Sequence, residues 1–140
     1  MKNLTYGVIG LGKFGSVVAE ELLAAGHTVV IADKDEEALK NIQNSVNYAY
    51  ILDSTNVAAL KEAGFHDLGV VIVSIGENVE KSILTLMALK DIGVSNIIAK
   101  ATSNIHGQIL SKLGATKVIY PEKESAKRLV KEFLVQSMDF

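Results

Sequence analysis

Six short runs rich in aliphatic and β-branched residues, at about 4–9, 28–33, 47–52, 70–75, 96–100 and 117–120, alternate with longer segments of helical character at about 14–25, 35–44, 56–63, 78–92, 104–112 and 122–136. Nothing else in the chain restricts its fold so far. Strands separated by helix-length crossovers are the mark of successive βα units around a parallel sheet. The runs are continuously apolar, as burial on both faces of such a sheet requires. Gly26, Gly64, Gly93 and Gly114 each fall just past a helical segment, where a left-handed cap suits glycine, and Pro121 stands where the last helix begins. The pattern predicts a single α/β domain over 1–140, a doubly wound, Rossmann-like parallel six-stranded sheet of order 3-2-1-4-5-6. Its ligand edge lies outside the C-terminal strand ends, where the order reverses.

The chain has 140 residues, enough for one core and little more. A formal charge of -2, with no basic block, argues against a nucleic-acid surface. Cysteine is absent, which excludes a disulfide framework, a thiol nucleophile and a cysteine metal site, and suits a reducing cytoplasm. Although 49% of the residues are apolar, each apolar run ends well before the ~18–20 residues that span a bilayer. The first strand-like run begins almost at once, without a signal-peptide pattern. These features lead us to expect a soluble chain.

Gly10-Leu11-Gly12-Lys13-Phe14-Gly15 joins the first apolar run to the first helix. In that setting Gly10 permits a tight turn, Gly12 lets the backbone approach a pyrophosphate, and Gly15 lets the helix pack on the strand. The helix N-terminus offers free N–H groups to an anion. Asp33 ends the second run at the offset where a carboxylate accepts hydrogen bonds from a ribose diol; the competing role, capping the following helix, is open to Asp35 as well. A carboxylate there disfavours a 2′-phosphate, so adenosine nucleotides or NAD(H) are expected over NADP(H), a preference that Lys34 softens. Lys13 either reaches a β- or γ-phosphate or is solvated on the first helical turn. Two further loops, Asp53-Ser54-Thr55 and Ser74-Ile75-Gly76-Glu77-Asn78, fall on the same edge. Helix capping and ligand contact are equally open for Ser54, Thr55 and Asn78.

His27, His66 and His106 are scattered, with no second ligand at metal spacing. His27 and His66 read as surface residues; His106 lies near a strand end and is less readily placed. The sequence shows no nucleophile elbow, Walker A loop or zinc motif.

Taken together, the glycine turn, Asp33, Leu52-Asp53-Ser54-Thr55, Val71 to Asn78, Lys100-Ala101, and Leu113-Gly114-Ala115 running on to Tyr120-Pro121-Glu122-Lys123 resemble an RCK/KTN (TrkA-N) domain. This is the cytosolic regulatory module of Trk/Ktr potassium transporters and RCK-gated potassium channels. The resemblance implies a homodimer or larger ring, often an octamer, that binds ATP, ADP, AMP or NAD(H) and gates a membrane potassium-translocating subunit, to which it is peripheral on the cytoplasmic side. It assigns Gly10, Gly12 and Gly15 to the phosphate turn, where Lys13 and Phe14 are further candidate contacts, and Asp33 to the adenosine ribose. It also makes Asp53 and Lys100 ligand-edge residues, beside the candidates Lys34, Ser54, Ser74, Ile75 and Gly76 of the same edge, and brings Glu122 toward the phosphates or a divalent cation accompanying ATP at a subunit interface. Ktr-type members usually carry arginine where this chain has Lys13. The chain reads as the N-terminal nucleotide-binding domain, without the C-terminal regulatory subdomain usual in the family.

A regulatory binding module is therefore expected. The alternative is an NAD-dependent oxidoreductase or a fragment of one, which would need a substrate site held against the nicotinamide that this length does not supply. A redox-sensing repressor would need a DNA-reading element, and neither charge nor motif provides it. In the last helix Ala126, Leu129, Val130, Phe133 and Leu134 form an apolar face, and Val135, Met138 and Phe140 add more than one face needs. That excess favours a subunit contact.

Overall fold

A computed structural model describes residues 4–138. The strands are β1 (Thr5–Ile9), β2 (Thr28–Asp33), β3 (Tyr48–Ile51), β4 (Val70–Val73), β5 (Ile97–Lys100) and β6 (Lys117–Ile119), and the helices α1 (Lys13–Ala24), α2 (Glu36–Lys40), α3 (Val57–Glu62), α4 (Val79–Asp91), α5 (Asn104–Lys112) and α6 (Pro121–Met138). A 3-10 turn, Phe65–Asp67, precedes β4. The strands form one parallel sheet in the order β3-β2-β1-β4-β5-β6, as the alternation predicts.

Successive side chains of a strand point to opposite faces, and here each face has its own core. Ile9, Val30, Val71, Val73, Ile97 and Ala99 pack with Leu60 of α3, Leu86 and Leu89 of α4 and Leu110 of α5. Val8, Val29, Ile31, Val70 and Ile72 pack with Ala19 of α1 and Leu39 of α2. Continuous apolar runs are thus explained for the central strands. They are not for β3, an edge strand whose Tyr48 and Ile51 are 59% and 58% exposed. Side chains cap four helices: Asp35, Asn56, Asn78 and Ser103 accept from the first-turn N–H groups of α2, α3, α4 and α5. At the other ends Gly26, Gly64, Gly93 and Gly114 all have positive φ.

One element departs from the sequence reading. The helix expected at 35–44 is only Glu36–Lys40, since Asn41, Asn44 and Ser45 favour turns over helix. Ile42 is still buried, so its apolar spacing from Leu39 reflects a shared core rather than continued helix. In α6, residues Glu122 to Gln136 are all exposed. Its stripe of Leu129, Val130, Phe133, Leu134 and Val135 is 54–59% exposed and packs on neither core. The side chain of Met138, and all of Phe140, lie outside the described residues.

Candidate functional site

At the C-terminal edge of the sheet, where the order reverses between β1 and β4, the chain encloses a cleft of about 1010 Å³. Gly10, Gly12, Lys13, Phe14, Asp33, Lys34, Ser54, Ser74, Ile75, Gly76, Lys100 and Glu122 all line it. Gly15 and Asp53 do not.

The glycine turn forms one wall. Gly10 has φ +93°, and a Cβ there would lie 2.7 Å from the Ser74 carbonyl oxygen, so both the conformation and the neighbouring strand require glycine. A side chain on Gly12 would meet nothing, because this position is open to the cleft. Gly15 sits behind the wall: a Cβ would run into the Gly10 carbonyl, and its absence lets α1 close on the end of β1. Lys13 is exposed on the rim.

Asp33 does more than the sequence indicates. Its Oδ2 accepts from the Leu11 N–H at 2.8 Å and its Oδ1 from the Asp35 N–H at 2.9 Å. The carboxylate therefore ties the glycine turn to the end of β2. The capping role falls to Asp35, which accepts from the Glu37 N–H.

The loop after β3 divides. Ser54 is turned inward, 2% exposed, with its hydroxyl 2.7 Å from the Thr85 hydroxyl on α4, so it borders the cleft from below. Asp53 faces a separate recess of about 240 Å³ with Lys34 and Lys81. The Thr55 hydroxyl and then the Thr55 N–H, both donating to it, hold the Asp53 carboxyl below the usual carboxylate range. Neither Ser54 nor Thr55 caps α3; Asn56 does, while Asn78 caps α4.

Lys100 leaves the end of β5 and is only 14% exposed. Its Nζ lies 3.2 Å from Glu122 Oε1 and 5.7 Å from the centre of the Phe14 ring, directly beside Gly76. Glu122, in the first turn of α6, is 75% exposed; its own backbone N–H and then Lys100 hold its carboxyl below the usual range. Four lysines (Lys13, Lys34, Lys81, Lys100) and four carboxylates (Asp33, Asp35, Glu77, Glu122) line the cleft over an apolar floor of Ile9, Leu11, Ala38 and Leu52. Sequence reasoning passed over Lys81 as a wall residue. Its place in the first turn after a ligand-edge loop was the available signal.

The histidines take structural places. His106 is 1% exposed; its Nδ1 accepts from the Thr102 N–H at 3.1 Å, so the neutral ring carries its proton on Nε2, 3.1 Å from the Ser82 hydroxyl. It braces the loop after β5 from below, and burial lowers its pKa. His27 is half-buried with its ring edge-on to Tyr6, rather than simply solvated, and His66 is exposed beside Asp67. Among the described residues no three His, Asp or Glu side chains gather as a metal set. Nor is any described helix long and apolar enough to cross a membrane.

A doubly wound parallel sheet with a glycine turn at its switch point places the chain among Rossmann-like α/β domains. Within that class it belongs to the TrkA-N domain family, whose model matches residues 6–121. It is 40% identical over 124 residues to Ktr system potassium uptake protein C of Bacillus subtilis, a match covering 89% of this chain and 56% of that protein. The chain thus spans little more than half of that relative. Among solved structures, the TrkA-N domain of the inner membrane protein ybaL from Escherichia coli has TM-score 0.81 at 20% identity, with 93% of this chain and 96% of that one covered. The Shewanella denitrificans Kef C-terminal domain in its AMP-bound form has TM-score 0.79 at 25% identity, covering 94% and 80%.

Proposed function

We propose that this chain is a nucleotide-sensing regulatory domain of a potassium uptake system. The cleft carries the reading: the open Gly12 backbone, the α1 N-terminus and the largely buried Lys100 face one space with Asp33, a set suited to phosphate at one end and ribose at the other. Family membership and the likeness to a Ktr potassium uptake protein support the physiological role, and the AMP-bound Kef domain supports an adenosine ligand. The ligand is ATP, ADP, AMP or NAD(H). A divalent cation entering with ATP would take most of its ligands from the phosphates, with Glu122 on the cleft wall offering a protein carboxylate. The domain acts without catalysis, on the cytoplasmic side, by changing shape and so gating a membrane potassium-translocating partner. Its exposed α6 stripe joins a second copy, giving a dimer or ring.

Isothermal titration of nucleotide-stripped protein with ATP, ADP, AMP, NAD and NADH tests this reading. At least one should bind, and Asp33→Ala should weaken it about tenfold or more, as losing ~1.5–3 kcal/mol of charge-assisted hydrogen bonding requires. No binding by any of the five would overturn the proposal. Protein-dependent NADH turnover would favour the oxidoreductase alternative.

A further inference from the structure

Lys100 is only 14% exposed, yet its partner is a carboxylate on a helix that packs on neither core. A salt bridge reaching from a solvated helix into a binding cleft fills the place that a ligand anion would take. We infer that Glu122 is a built-in competitor for the phosphate subsite: its carboxylate occupies Lys100 in the ligand-free protein, and a ligand phosphate must displace it. This rests on the nucleotide reading above and adds a specificity rule to it.

Three observations carry the inference. The Lys100 ammonium has Glu122 Oε1 on one side at 3.2 Å, and the Phe14 ring and Gly76 close around it. A side chain at Gly76 would come within 3.2 Å of Nζ, so this loop is shaped to admit the lysine head. Glu122 is 75% exposed, so on leaving Lys100 it returns to water without a burial penalty, whereas Lys100 at 14% needs an anion in its place. The exchange is therefore carboxylate for phosphate at one fixed cation. A nucleoside without phosphate cannot drive it.

The sign of the effect makes the inference testable. If Glu122 only assists ligand binding, removing its charge weakens phosphate ligands; if it competes, removal strengthens them. The full chain, its Glu122→Gln and Lys100→Met variants and the double variant are titrated with adenosine, ADP and inorganic pyrophosphate in chelator-treated, divalent-free buffer. Glu122→Gln should tighten ADP and pyrophosphate by up to about fivefold, the upper end for a partly exposed ion pair. Adenosine should be unaffected. The gain should vanish in the Lys100→Met background, which separates competition at Lys100 from a general loss of negative charge. Weaker or unchanged phosphate binding in Glu122→Gln, or an equal gain with Lys100 absent, would overturn the inference. If pyrophosphate shows the Lys100-dependent gain while adenosine and ADP do not bind, the competitor stands and the nucleotide reading falls. Failure of both phosphate probes to bind at millimolar concentration sinks the competitor as well.

Discussion

Replacing Asp33 by alanine separates two roles that one carboxylate holds. In the ligand-free protein it accepts from the N–H groups of Leu11 and Asp35. Leu11 is 4% exposed, so its N–H is poorly served by water, and losing a bond to a charged acceptor there costs ~1.5–3 kcal/mol. The Asp35 N–H is exposed and rehydrates, costing about 0.5 kcal/mol. The sum is about 2.5 kcal/mol. For 140 residues, at ~2.1 cal/mol/K each, the unfolding entropy is about 0.3 kcal/mol/K, so the melting point should fall by about 8 °C. Asp33→Asn keeps one acceptor and turns an amide N–H toward the other donor, so it should recover at most half of that. Thermal unfolding followed by circular dichroism on nucleotide-stripped protein reads the effect directly. If ligand-free Asp33→Ala melts within about 2 °C of wild type, this reasoning about the turn fails. Should its affinity for adenosine ligands fall nonetheless, the carboxylate serves the ribose alone.

The glycines of the turn should separate in the same way. Gly15→Ala forces a Cβ into the Gly10 carbonyl and should cost about 3 kcal/mol by urea unfolding, whereas Gly12→Ala meets open space and should cost under about 1 kcal/mol while weakening phosphate ligands. Burial holds folded His106 below the ordinary histidine value, so the unfolded chain takes up its proton first as pH falls through ~6.5. Stability from neutral His106 should be complete above that pH and decline below it, and denaturation between pH 7.5 and 5.5 should show a shallower decline in His106→Gln. Phe133→Glu, on an exposed helix face, should leave the melting point within about 2 °C of wild type yet yield monomer by sedimentation where wild type associates. A wild-type chain that is monomeric at every micromolar concentration contradicts the assembly proposal.

The strand and helix positions were legible in the linear pattern because their determinants are local, and the strand order followed from the doubly wound topology that their alternation implies. Caps such as Asn56, Asn78 and Ser103 bind N–H groups three residues on, and the left-handed glycines close their own helices. The glycine turn was legible for the same reason, being six consecutive residues that run from the end of a strand into a helix. Local chemistry also overreached where turn formers followed α2, since apolar spacing reports which side chains share a core and not where helical hydrogen bonding stops.

What only the tertiary structure decided is the use to which each side chain is put. Asp33 meets Leu11 across 22 residues because parallel pairing sets the ends of β1 and β2 side by side. Ser54 borders the cleft from below with its hydroxyl on Thr85, while its neighbour Asp53 faces a separate recess; their order in the chain does not distinguish them. The exposure of β3 depends on its being an edge, and that of the α6 stripe on the helix standing off both cores. Lys100 and Glu122 look like unrelated charges in the sequence. They become a pair because β5 ends and α6 begins at the same rim of the sheet. Periodicity and capping act within a few residues and can be read along the chain, whereas burial and charge pairing depend on which surfaces the folded elements bring together.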